Sequence, residues 1–249
     1  MITIAYFDCY SGASGDMLLG ALLDNAINFD WFKKELAKLD LPNDSFKIEK
    51  TYVNRSSINT CKIDISINTL DNHHRSYKSI CNIIECSNID NKAKELSKKI
   101  FYKLAKAEAH IHNKSIDDIH FHEIGAIDSI IDIVGFSICY NSLNIDICSI
   151  SPLPVGSGEA YCQHGYIPIP APATLQILKD HNIHIKNNPN IKEECLTPTG
   201  AAILSTIAED CTAMPDMDKI ISVGYGAGNK IFNNNIISNL RFVLGLKNT

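Results

Sequence analysis

The chain has no Cys-x-x-Cys pair, no long run of one charge sign, and no apolar stretch near the ~20 residues of a membrane span. Each absence excludes something. Without Cys-x-x-Cys, neither a zinc knuckle nor a thioredoxin-type redox motif is supported, although nine cysteines are scattered along the chain. Cys139 and Cys148 stand in apolar company, where a free thiol acts as a small hydrophobe; unpaired thiols point to a reducing cytoplasm. Lys and Arg total 23 against 28 Asp and Glu, a net charge of -5 without a basic stripe, so no nucleic-acid surface is expected. The opening Met1 to Asp8 lacks a basic n-region and reads as a strand, not a signal peptide. What remains is ordinary for a globular protein. At 45% hydrophobic and 20% charged over 249 residues, the chain can bury a substantial core.

The pattern along the chain predicts a mixed α/β or α+β arrangement with a helical middle layer. Ile2 to Asp8 is a short apolar strand, followed by the glycine-bearing loop Ser11 to Asp16 and a helix from Met17, which together open an α/β unit. A helix is expected over Trp31 to Leu39, then paired strands at Phe46 to Val53 and Ile58 to Leu70. The middle, about residues 76 to 142, should be helical: Tyr77 to Glu85, Lys92 to His112 with a core stripe of Leu96, Ile100, Leu104 and Ala107, and Ile127 to Asn141. Proline then punctuates short extended pieces. Pro172 and Thr197-Pro198 each fit a helix start, and strands are expected at Lys219 to Gly224 and Leu240 to Leu244.

The densest chemistry lies in His120-Phe121-His122-Glu123-Ile124-Gly125-Ala126-Ile127-Asp128, which continues to Asp132. Imidazoles suit zinc, copper, iron and nickel, and carboxylates add hard oxygen ligands. On a helix Asp128 and Asp132 share one face, whereas His120 and His122 share a face only in extended structure, so a strand or loop should turn at Gly125 into a helix beginning near Ile127. Asp128 could equally cap that helix. A second constellation joins Asp8 to the loop Ser11, Gly12, Ser14, Gly15 and Asp16, at a strand's carboxyl end beside a helix N-terminus, where α/β proteins place ligand groups. No Gly-Lys-Ser/Thr follows, so this is not a Walker A loop. His73-His74, His110-x-His112 and His164 extend the imidazole set, with Cys81 and Cys86 as further soft donors. Gly224-Tyr225-Gly226-Ala227-Gly228 follows a strand but leads into no clear helix, which weighs against a dinucleotide fingerprint.

Taken in order, Tyr6 to Met17, His120 to Gly135, Ser151 to Gly158, His164-Gly165, Pro168 to Thr174, Thr197 to Ala201 and Gly224 to Gly228 closely resemble the LarC family of nickel-insertion proteins, across nearly the whole chain. The resemblance implies nickel insertion into a pyridinium bisthiocarboxylate mononucleotide, a CTP-consuming lyase-type step in building the nickel-pincer cofactor of lactate racemase. It implies metal handling by His120, His122, Glu123 and Asp128, delivery by His73 and His74, and a base at His122 or Glu123. The loop Asp8, Ser11, Gly12, Ser14, Gly15 and Asp16 would hold the substrate phosphate or an accompanying cation. Family members continue into a C-terminal domain to which CTP binding, with a divalent cation, is attributed. Residues 1 to 249 are therefore expected to be one N-terminal LarC-type domain, incomplete alone; a separate product, a split gene with a separately encoded C-terminal domain, or a shortened chain would each give such a portion. A non-catalytic nickel-binding or chaperone module is the alternative, and a metal-dependent phosphohydrolase a weaker one.

Overall fold

The structure is a computed structural model that describes residues 1–42, 44–68, 75–121, 125–162, 165–187, 191–232 and 238–248. In chain order its first elements are β1 (Ile2–Asp8), α1 (Gly15–Asn25), α2 (Phe29–Leu36), β2 (Phe46–Arg55) and β3 (Ile58–Ile67). The middle is α3 (Tyr77–Cys86), α4 (Asn91–His112) and α5 (Ile127–Ser142). Then come β4 (Ile147–Ile150), β5 (Leu153–Pro154), β6 (Gly158–Cys162), β7 (Gly165–Ile169), α6 (Pro172–Leu178) and β8 (Ile185–Lys186). The last elements are α7 (Pro198–Ile207), β9 (Asp210–Cys211), β10 (Lys219–Ala227) and β11 (Leu240–Lys247).

The main sheet runs β2-β3-β10-β11-β1-β4-β9 and is mixed. β1 pairs parallel with β4 but antiparallel with β11, which is itself antiparallel to β10. Side chains alternate across a strand, and β1 shows the consequence. Phe7 is fully buried and packs on Phe242 of β11 and Phe136 of α5, with ring centroids 4.9 and 6.1 Å apart. Asp8 takes the opposite face, beside Arg241. Burying one such phenyl ring stabilises the fold by about 1.5–3 kcal/mol, so β1, β11 and α5 are fixed against each other early in the chain of causes that places the site.

Local rules explain the helix ends. Asp90 caps α4, its Oδ1 accepting the Lys92 N–H at 2.8 Å, and Asn113 ends it in the left-handed conformation (φ 50°, ψ 48°) that Asn tolerates better than most residues. Thr197 caps α7 by accepting the Gly200 N–H at 3.1 Å, with Pro198 in the first turn as expected. α2 departs from expectation by starting at Phe29 and ending at Leu36. The reason is Asn28, whose Oδ1 accepts the Trp31 N–H at 2.9 Å and so caps the helix earlier than its apolar pattern suggests. Among the described residues no helix is long and apolar enough to cross a membrane.

Candidate functional site

The loop after β1 is held by its neighbours. Gly12 takes φ +110°, closed to most L side chains, and a β-carbon there would fall 1.9 Å from the Cys195 carbonyl oxygen. That close approach lets Ala13 pair with Leu196: the Ala13 N–H donates to Cys195 O (2.9 Å) and the Thr197 N–H to Ala13 O (3.1 Å). The loop therefore joins the start of α1 to the start of α7. The start of α6 reaches the same junction, Thr174 Oγ1 donating to Leu196 O at 3.4 Å. α5 arrives from the other side, since a β-carbon on Gly15 would meet Asp132 Oδ2 at 2.7 Å. The first turns of α1 and α7 thus meet beyond the carboxyl end of β1, each with the positive end of its peptide dipole toward the junction, and the second turn of α5 adds Asp132 to it.

Two carboxyl groups occupy that junction. Asp16 Oδ1 accepts from Ser14 Oγ and from the Met17 N–H (2.9 Å). Burial raises its pKa above the usual carboxylate range, against the lowering effect of those two donors. Asp132 is raised well above that range, first by burial and then by the charges of Asp16 and Asp128. Its Oδ1 is buried without a hydrogen-bond partner, although the residue as a whole keeps some exposure at another edge. Helix N-termini favour anions, while burial and like charge oppose them, so the pair is poised to bind a cation or take a proton.

The positions expected from sequence divide as follows. Ser14, Gly15 and Asp16 lie at the junction. Ser11 is fully buried and bound to the main chain of Asn239, donating to its carbonyl at 2.8 Å and accepting its N–H at 3.2 Å. Asp8 forms a 2.6 Å ion pair with Arg241 on the other face of the sheet. Asp128 stands in the first turn of α5 but is not its cap; that position is Ala126, and Asp128 Oδ1 accepts the Ser129 N–H at 2.7 Å. His120 lies in extended backbone bridged to Ser76. His73, His74, His122, Glu123 and His164 lie outside the described residues. Among the described residues no three His, Cys, Asp or Glu side chains come together as a metal cluster.

Asp132 and Arg55 are the additions that the structure makes. Asp132 is legible in part, through its i,i+4 spacing from Asp128. Arg55 at the tip of the β2–β3 hairpin gave no signal, yet its Nη2 donates to Gly228 O at 3.2 Å, in the glycine segment that borders α1. A cavity of about 530 Å³ lies elsewhere, lined by Tyr77, Lys98, Lys99, Tyr102, Lys103 and Thr206 among others, and contains none of the junction residues.

Residues 5–249 match the family model described as "Nickel insertion protein". The chain is 46% identical over 235 residues to a pyridinium-3,5-bisthiocarboxylic acid mononucleotide nickel insertion protein of Acetivibrio thermocellus, covering 91% of this chain and 57% of the relative. It is 41% identical over 239 residues to the protein of that name from Clostridium kluyveri, covering 91% and 58%. A putative nickel insertion protein of Geotalea uraniireducens is 40% identical over 248 residues, covering 98% and 61%. The chain thus spans about three-fifths of the length of the curated relatives it matches. No solved structure matches.

Proposed function

Because the chain belongs to the nickel insertion protein family, we propose that it carries the nickel- and nucleotide-handling part of nickel insertion into pyridinium bisthiocarboxylate mononucleotide. The observation that supports this reading is the unbroken family match over residues 5–249. The two buried carboxyl groups Asp16 and Asp132, where α1 and α5 come together, support this reading as groups able to take a cation or a proton. Nickel is the substrate metal. His120, His122, Glu123 and Asp128 are proposed to bind it, with His73 and His74 delivering it and His122 or Glu123 acting as base. Asp8, Ser11, Gly12, Ser14, Gly15 and Asp16 are the proposed substrate loop, in which Ser11 acts through the backbone it fixes.

Forming a metal–carbon bond on the pyridinium ring releases a ring proton, so a nearby carboxyl group of raised pKa is useful. Asp16 and Asp132 supply two. In the complete protein the step is proposed to consume CTP with a divalent cation, as a lyase reaction of lactate racemase maturation in the cytoplasm. Residues 1–249 are proposed to form one domain that needs a C-terminal partner domain for that step. Nickel held without any affinity for the nucleotide would instead mark a nickel-binding or chaperone module.

Isothermal titration with nickel at neutral pH tests the reading, with wild type beside a His120→Ala/His122→Ala double variant. Saturable binding in the wild type and at least a tenfold loss in the variant is expected. Equal binding in both would remove the central cluster from nickel handling.

A further inference from the structure

Buried polar side-chain atoms without a hydrogen-bond partner are few in folded proteins, and each asks for an explanation. Arg55 Nε, Asn239 Nδ2 and Arg241 Nε are such atoms here. All are N–H donors, and the fold brings them toward the carboxyl end of β10. Tyr225 pairs with Arg241 and Gly226 with Leu240, so Asn239 follows next beside the end of β10. Arg55 reaches that same end from another direction, through its hydrogen bond to Gly228 O.

The hairpin that delivers Arg55 is built with some strain. Ser56 and Ser57 both take positive φ (51° and 68°), the backbone of a two-residue turn usually given to Asn-Gly. Such a turn fixes the register that opposes Arg55 to Ile58. The guanidinium has no ion pair among the described residues. Arg241 differs, because its Nη2 donates to Asp8 Oδ2 at 2.6 Å. Asn239 has its main chain tied to Ser11, which leaves its side-chain amide as the free donor. The set therefore offers one uncompensated cation, one compensated cation and one neutral amide, with Asp8 as the carboxylate bonded to it.

Planar guanidinium groups and amides in this combination recognise tetrahedral oxyanions, with paired charge-assisted hydrogen bonds from arginine. We infer that Arg55, Asn239 and Arg241 form a phosphate-recognition edge, with Arg55 its principal ligand. Arg241 is held in place by Asp8 and contributes Nε. This edge borders the Ser11 to Asp16 loop through Asn239 but offers different groups: that loop offers the N-terminus of α1, and the edge offers side chains from two strand ends, the end of β2 and the start of β11. The identification of the phosphate as that of a pyridinium mononucleotide rests on the proposed function; recognition of the anion rests on the geometry.

The test measures binding of two probes, inorganic phosphate and nicotinic acid mononucleotide, by titration calorimetry at low and moderate salt. It uses wild type, Arg55→Met and Arg55→Lys, each checked for an unchanged thermal midpoint; Arg55 lies at a hairpin tip, so folding is expected to survive. Both probes should bind the wild type saturably. Arg55→Met should weaken both by about tenfold to a hundredfold, and Arg55→Lys by less, since it keeps the charge but loses the fork. Nucleotide binding that is unchanged in Arg55→Met would overturn the edge while leaving the proposed function standing. Arg55-dependent phosphate binding, with the nucleotide bound no better than phosphate, would keep the edge and sink the nucleotide reading. Absence of saturable binding for either probe would overturn the edge.

Discussion

Asp132 holds its carboxyl under the first turn of α1 with one oxygen unpartnered, and the charges of Asp16 and Asp128 add to the cost of ionising it. A carboxyl whose pKa is raised on folding is ionised more readily in the unfolded chain. Its contribution to stability is therefore intact below its unfolded value of about 3.8 and is lost as pH rises toward the folded value. Asp132→Asn removes that loss. The variant is expected to melt at a higher temperature than wild type at pH 7 and at nearly the same temperature at pH 3.5. Thermal denaturation at the two pH values checks it, and an equal gain at both would point to packing instead of charge. Such a cost is the kind that functional sites carry. At this scale the sequence was legible where spacing carries meaning, as with Asp128 and Asp132 on one helical turn. It was silent on Arg55, since one arginine in a hairpin looks like any solvated charge until Gly228 is brought beneath it.

The glycines of β10 show what happens one scale up. Gly224 and Gly226 in the strand, with Gly228 just past its end, are a run that allows close approach by a ligand or by a neighbouring element, and the fold uses it to admit α1. A β-carbon on Gly226 would fall 1.9 Å from the Met17 carbonyl oxygen and one on Gly224 2.1 Å from that of Ala21. The glycines thus set the depth of α1 on the sheet, and with it the height of Asp16. Gly226→Ala should destabilise the protein by about 3 kcal/mol or more by forcing helix and strand apart. A urea denaturation midpoint close to wild type would show that α1 can shift without penalty. Elements with strong periodicity or caps, such as α4, α5 and the start of α7, were legible in full. The role of the β10 glycines was not, because close backbone approach to a ligand and to a helix leave the same mark in a sequence.

Strand order belongs to the whole molecule and was the least legible feature. Leu240 to Leu244 is recognisable as a strand, but nothing local says that it lies between β1 and β10, partners that are distant or nearly adjacent in sequence. β11 is the keystone: among the described residues, β2, β3 and β10 connect to β1, β4 and β9 in the sheet only through it. A chain ending at residue 232 should therefore lose cooperative unfolding altogether, as judged by near-ultraviolet circular dichroism during thermal denaturation. A sharp transition in that truncated chain would show that the helices alone organise the fold. The same placement has a consequence for synthesis. β1 leaves the ribosome long before β11, yet Ile2 faces Lys247 across a ladder that runs nearly the length of both strands. Until β11 has followed, the nascent chain must carry an apolar strand with one open edge, an invitation to wrong pairing. The yield of correctly folded protein should thus depend on how quickly β11 follows the strands before it.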